Sequence, residues 1–271
     1  MEKYGGRLIY AARDDQGPVE VVEAQGVRRL HFGSHAIQSA QLISLPDRLE
    51  LAYLRTLLFG CLLVPDPSRV LVLGLGGGSV VRFLLQHFAD IEVVVVESRP
   101  LLKTIAADFF GLEGDPRVTF RIGDAGYLVG AMLEEGPIDS GYDLILIDLC
   151  DAKGPSELLL RADFWECIGP LLRKRGVLTV NLWTQENETY QGVMKLLKRT
   201  FEGRVFSLTV PGRGNVIGGV TGSEALIRSQ KKLFEAAQKL SIRLGLELVR
   251  MLGRVEPPLK ALKEPTRSRA L

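Results

Sequence analysis

The sequence predicts an α/β fold, with a mostly parallel seven-stranded sheet covered by helices on both faces, closed by an antiparallel hairpin and preceded by a small lobe of β-hairpins. Three observations carry this expectation. Short runs rich in Val, Ile and Leu alternate with helical patterns from Arg69 to Phe201, as strands buried on both faces do. Two further strand-like runs then flank Pro211-Gly-Arg-Gly214, the pattern of a tight hairpin. Before Asp47 the chain instead breaks into alternating pieces set apart by turn residues.

Taken in order, 7–13, 19–24 and 28–32 read as strands, separated by 14–18 and 25–26. From Asp47 to Leu63, Leu51, Leu54, Leu58 and Leu62 recur at helical spacing, and Pro65-Asp-Pro67 ends the run. Strands are then expected at 70–74, 91–97, 118–122, 143–148 and 176–182. The helices between them are expected at 80–88, 100–110, 126–135 and 164–173, followed by one at 185–201. The hairpin strands are 204–210 and 215–221, and 223–251 reads as one long helical stretch with basic residues. This divides the chain into a hairpin lobe (1–46), a main domain (47–251) and a loosely ordered basic tail (252–271). No internal repeat is visible.

Composition narrows the function classes. The 34 Lys+Arg and 32 Asp+Glu leave a formal charge of +2, which gives no electrostatic case for nucleic acid as a partner. The three cysteines, Cys61, Cys150 and Cys167, form no C-x-x-C pair, and the three histidines, His31, His35 and His87, have no metal-ligand spacing. No metal, no membrane span and no signal peptide are therefore expected, and the chain reads as cytoplasmic.

In an open α/β sheet, ligands bind beyond the carboxyl ends of the strands. Those ends carry Gly74-Leu-Gly-Gly-Gly-Ser79 after the first strand of the series, Glu97 after the second, Asp124 after the third and Asp148 with Asp151 after the fourth. The fifth ends in Asn181-Leu-Trp183. Each feature has a structural reading as well: a strand-to-helix turn for the glycines, and helix caps for Asp124 and Asp151. No Lys follows the glycines, so they do not form a phosphate-binding P-loop, and Ser79 stands where a dinucleotide motif has its third glycine. Gly74, Gly76, Gly77 and Gly78 permit close approach of a ligand to the backbone. Glu97 suits a ribose diol, and Asp124 with the adjoining Ala125 suits an adenine edge. Asp148 and Asp151 suit a cationic group, or a proton taken from an amine nucleophile. The whole favours an adenosine-type ligand.

At this point the sequence resembles a known family. The segments VLVLGLGGGSVVRFL (70–84), VVVVES (93–98), GDA (123–125) and YDLILIDLCDAKGPSELL (142–159) look like the core of spermidine synthase-like proteins, the polyamine aminopropyltransferases. The resemblance extends over about three-quarters of the chain and implies the Rossmann-like fold of class I S-adenosylmethionine-dependent methyltransferases. It implies decarboxylated S-adenosylmethionine, or S-adenosylmethionine itself, as co-substrate, a small-molecule amine as acceptor, and a homodimer. By residue, it implies Glu97 at the ribose, Asp124 at the adenine, Gln38 near the ribose or sulfonium, Asp148 as general base and Asp151 as its amine-binding partner. Two positions depart from the family pattern. Gly77 stands where the family's glycine motif has an Asp, and Tyr53-Leu-Arg55 stands where it has Tyr-His-Glu or Tyr-Gln-Glu. Tyr53 and Arg55 are candidate substrate contacts, with Arg55 read either as the partner of a ligand carboxylate or as a surface Arg on a helix. Three activities stay open: aminopropyl transfer, methyl transfer, and nucleoside binding without catalysis.

Overall fold

The computed structural model describes residues 1–136, 141–150, 154–184, 187–225 and 229–259. The chain opens with five antiparallel strands in sequence order: β1 (Glu2–Lys3), β2 (Gly6–Asp14), β3 (Gly17–Ala24), β4 (Val27–His31) and β5 (Ile37–Leu42). The short helices α1 (Ala52–Leu57) and α2 (Gly60–Leu63) lead into the main sheet. Its parallel part comprises β6 (Arg69–Leu73), β7 (Glu92–Glu97), β8 (Val118–Ile122), β9 (Tyr142–Ile147) and β10 (Leu172–Trp183). These are linked by α3 (Ser79–His87), α4 (Pro100–Phe110), α5 (Ala125–Glu135) and α6 (Ala162–Leu171). After α7 (Asn187–Thr200) come the hairpin β11 (Val205–Thr209) and β12 (Asn215–Thr221), then α8 (Gln230–Leu244), α9 (Leu248–Leu252) and β13 (Val255–Glu256).

The strand order across the main sheet is β13-β11-β12-β10-β9-β6-β7-β8, with β10 to β8 parallel and the other pairings antiparallel. The chain runs outward from β6 to β8 and then returns to the other side of β6 as β9. The sheet therefore reverses direction between β6 and β9, and a crevice opens there at the carboxyl ends of the strands. Alternate residues feed two cores, as a sheet buried on both faces requires. Val70, Val72, Val93, Val95, Leu144 and Leu146 pack with residues of α3, α4 and α8. Leu71, Leu73, Val96, Ile145 and Ile147 pack with residues of α5, α6 and α7.

Four features differ from the sequence reading, each for a local reason. The helix expected over 47–63 is broken into α1 and α2. Leu57, Leu58 and Phe59 are consecutive and all at most 1% exposed, which one helix face cannot accommodate. The Thr179 hydroxyl from β10 donates to the Leu57 carbonyl at 2.7 Å, and Cys61 N–H bonds Leu58 O instead. Strand β5 escaped the pattern because its inward residues Ser39 and Gln41 are polar and buried, with their hydrogen bonds made across to the main domain. The stretch 223–251 contains two helices rather than one, α8 ending at Gly245 with φ +64°. Residues 252–259, expected to begin a loose tail, include β13 as an eighth strand and the buried Leu259, while 260–271 lie outside the described residues. Among the described residues no helix is long and apolar enough to cross a membrane.

At Gly74 the chain passes close against the end of β9. The φ of Gly74 is +94°, and a Cβ there would lie 2.2 Å from the Asp148 carbonyl oxygen. A Gly74→Ala variant should lose about 2–4 kcal/mol of stability through backbone strain and overlap, read from urea unfolding.

Candidate active site

A cleft of about 550 Å3 opens beyond the carboxyl ends of β6 to β9, roofed by the hairpin lobe. Of the residues singled out in the sequence, Gln38, Tyr53, Gly74, Gly76, Glu97, Asp124, Ala125 and Asp148 line it together. Gly77 and Gly78 stand behind the wall. Gly77 N–H donates to Ser39 Oγ at 2.8 Å, and a Cβ at Gly77 would come within 3.0 Å of Ser39 Cβ. Gly78, with φ +75°, caps α3 against Leu112. Arg55 is not brought to the cleft. Its guanidinium donates to the carbonyls of Leu49 (2.6 Å) and Glu50 (3.1 Å) and lies 3.5 Å from Glu247, which leaves it no reach toward a ligand carboxylate. Asp151 lies outside the described residues.

At the β7 end, Glu97 is 7% exposed and held by the backbone: Oε2 accepts Leu75 N–H and Oε1 accepts Arg99 N–H, both at 2.8 Å. Burial pushes its carboxyl above the usual carboxylate range, against the pull of these N–H groups. Oε2 retains a lone pair for a hydroxyl, and Oε1 also accepts the Ser98 hydroxyl at 3.4 Å, a long bond that a second ligand hydroxyl can displace. Asp124 is both cap and cleft residue. Its Oδ1 accepts Tyr127 N–H at 2.9 Å to start α5, while the residue itself faces the cavity.

The roof is fastened beside Glu97. Arg99 donates to Asp14 through Nε (2.9 Å) and Nη2 (2.6 Å) and to Gly17 O (2.9 Å), and its guanidinium stacks 4.5 Å from the Phe32 ring. Gln16 adds a 3.2 Å bond to Ser98. Burial alone would raise the Asp14 carboxyl, but Arg99 outweighs it and holds it below its ordinary value. The tip of the β2–β3 hairpin is thus tied to the loop that presents Glu97. Sequence reading did not single out Arg99, Asp14 or Gln16, since the pairs span about eighty residues and no local spacing announces them.

At the β9 end, Asp148 lines the cleft. Oδ2 accepts the Tyr53 hydroxyl at 3.1 Å, and Oδ1 accepts Asn181 Nδ2 at 2.9 Å and the Cys150 thiol at 3.8 Å. Removal from water raises its carboxyl above the usual range despite these three donors. Burial, with the Asp148 charge beside it, drives the Tyr53 phenol well above its usual value and keeps it a donor. Asn181 ends the fifth strand of the series, as the sequence indicated, but its hydrogen bond to Asp148 comes from strand pairing alone. The arrangement sets the Glu97 and Asp148 carboxylates two strands apart, about 10 Å on the usual strand spacing.

This geometry defines a class I methyltransferase-like α/β protein with a carboxylate-lined cleft across its strand ends. Comparison with known proteins agrees. A family model described as the spermine/spermidine synthase domain matches residues 52–214. The polyamine aminopropyltransferase of Chromobacterium violaceum is 31% identical over 252 residues, covering 92% of this chain and 94% of that protein. Its counterpart from Neisseria meningitidis serogroup A is 29% identical over 257 residues (93% and 94%). Among solved structures, a spermidine synthase bound to the transition-state analogue AdoDATO superposes with a TM-score of 0.65 at 19% identity, covering 86% of this chain and 78% of that one, a likeness of fold. Human methyltransferase-like protein 13 in complex with SAH superposes at 0.62 with 26% identity (72% and 89%). The chain belongs to the spermine/spermidine synthase family.

Because the folded state raises the Asp148 carboxyl, its ionised form opposes folding. That effect is absent below the unfolded value near 4 and complete above the folded one. Asp148→Asn should therefore unfold at a higher temperature than the parent protein at neutral pH. The difference should shrink as pH falls through the window between those two values, as measured by calorimetric scans across pH.

Proposed function

We propose that this protein is an aminopropyltransferase that moves the aminopropyl group of decarboxylated S-adenosylmethionine to a small amine acceptor. The observation that carries this reading is the Asp148 carboxylate at the β6/β9 crevice, ionisable, partly desolvated and oriented by Tyr53 and Asn181. The acceptor amine attacks the methylene next to the sulfonium, the carbon–sulfur bond breaks, and methylthioadenosine leaves. Asp148 takes the amine proton, since a protonated amine has no lone pair with which to attack. Glu97 holds the ribose hydroxyls and Asp124 the adenine amino group. Gly74 and Gly76 let the nucleoside lie against the backbone, and Gln38, Tyr53 and Ala125 complete its walls. Asp151, from the sequence resemblance, is assigned to the acceptor ammonium.

Charge supports the decarboxylated donor. Among the described residues lining the cleft the anions are Glu97, Asp124 and Asp148, and the one cation, Arg99, is already paired with Asp14. A sulfonium carrying an ammonium suits this lining better than a zwitterion with a carboxylate. Methyl transfer from S-adenosylmethionine is the second reading, favoured by the likeness to the human methyltransferase-like protein. The family resemblance also supports a homodimer, and the free thiols of Cys61, Cys150 and Cys167 support a reducing, cytoplasmic setting.

The test is methylthioadenosine release from decarboxylated S-adenosylmethionine with a panel of di- and polyamines. Turnover with at least one amine is expected, with an acid limb above the ordinary carboxylate range because Asp148 is raised. Methyl transfer without methylthioadenosine would overturn the reading in favour of the second. Glu97→Gln should weaken nucleoside binding about tenfold or more, measured by titration calorimetry. The new amide NH2 would face a backbone N–H and remove an acceptor from the ribose.

A further inference from the structure

The hydrogen bonds of Asp148 continue beyond the cleft wall. Asn181, on β10, gives its Nδ2 to Asp148 Oδ1 and receives Asn215 Nδ2 on its own Oδ1, both at 2.9 Å. Asn181 is 2% exposed and does not line the cleft; its Nδ2 reaches Cys150 Sγ only at a long 3.9 Å, so Asp148 is the cleft residue it holds most directly. Asn215 is the first residue of β12 and pairs with Trp183 across the antiparallel ladder, which puts it next to Asn181 on the hairpin side.

An amide is nearly symmetric in shape but not in chemistry. One edge offers two N–H donors and the other only an acceptor. Facing a carboxylate, the oxygen edge would repel and the nitrogen edge attract. Asn181 alone could turn either way about its last torsion. Asn215 removes that freedom, because its NH2 occupies the Asn181 oxygen and leaves the Asn181 NH2 for Asp148.

We propose that Asn181 and Asn215 are positioning residues for Asp148, and that the C-terminal hairpin serves the reaction by supplying the second of them. The inference rests on the reading of Asp148 as the base. Each Asn acts by keeping a donor on Oδ1, which favours the ionised carboxyl and leaves the Oδ2 side, braced by Tyr53, turned to the acceptor amine. Among the described residues, the titratable groups hydrogen-bonded to Asp148 are Tyr53, from α1, and Cys150, from its own loop.

The experiment follows the Asp148 carboxyl by 13C NMR in carboxyl-labelled protein, assigned by its loss in Asp148→Asn, alongside pH profiles of kcat. In Asn181→Ala the titration midpoint and the acid limb should rise by about one pH unit, and kcat should fall roughly tenfold or more. The KM for the nucleoside should stay within about twofold, since neither Asn touches the cleft. Asn215→Ala should move the same quantities less. Asn215→Asp, nearly equal in size, replaces the donor by an acceptor that draws the Asn181 NH2 away from Asp148, so it should act more strongly than Asn215→Ala. Unmoved midpoints in all three variants, or a change confined to KM, would overturn the inference. Should Asn181→Ala fail to fold, the two Asn215 variants, at a partly exposed position, decide the matter. An Asp148→Asn enzyme with undiminished turnover would remove the base reading itself. An inactive Asp148→Asn with unmoved midpoints in the Asn variants would remove only this inference.

Discussion

The close approach of β6 and β9 at their carboxyl ends governs most of what lies above it. Gly74 N–H reaches across to Val96 O, and Asp148 N–H bonds Leu73 O, so three strands finish in register at one rim. The Asp148 carbonyl sits where any side chain at Gly74 would have to be. With no Cβ in the way, the chain turns from β6 into α3 without leaving the rim. The backbone after Leu73 then forms a wall of the cleft rather than a plug. Glu97 and Asp148 owe their separation to this arrangement, since each sits at the end of a strand adjacent to β6.

Around that rim, each carboxylate is held in place by a different device. Glu97 relies on two backbone N–H groups, Asp124 on the start of a helix, and Asp148 on side chains from α1 and β10. The distinction matters chemically. Backbone donors and a helix start are fixed by the fold, which suits groups that bind. Burial raises both Glu97 and Asp148, and the side-chain donors of Asp148 add a means of tuning it that a fixed backbone does not, which suits a group that must accept a proton.

The lobe is joined to this rim by polar contacts rather than by an extended apolar seam alone. Ser39 meets Gly77 N–H, Gln41 meets Phe110 O, and Arg99 grips Asp14. Two of these three contacts start from β5, and the third holds the hairpin tip over Glu97. A separate lobe thereby becomes a roof whose position is set against the loops that line the cleft. Gly77 fits the same picture: its N–H is spent on Ser39, and the space where a side chain would go is occupied by that residue and Phe110.

The alternation of apolar strands and helices, the glycine turn, and the carboxylates Glu97, Asp124 and Asp148 at successive strand ends were all legible in the sequence, because each depends on a run of neighbouring residues. Strand β5 was not, since its inward positions are polar for the sake of partners 38 and 69 residues away. The break between α1 and α2 was hidden too, because a hydroxyl on β10 takes the carbonyl that a continuous helix would use. Arg55 looked the same in sequence whether it faced a ligand or Glu247, and only packing against the C-terminal helices chose the latter. The sequence by itself determined the fold class and which strand ends carry charge, through periodicity and turn chemistry that act over a few residues. Tertiary structure decided which side chains meet, as Asn215 with Asn181 and Arg99 with Asp14, because those contacts join segments that only strand pairing and lobe docking bring within hydrogen-bonding distance.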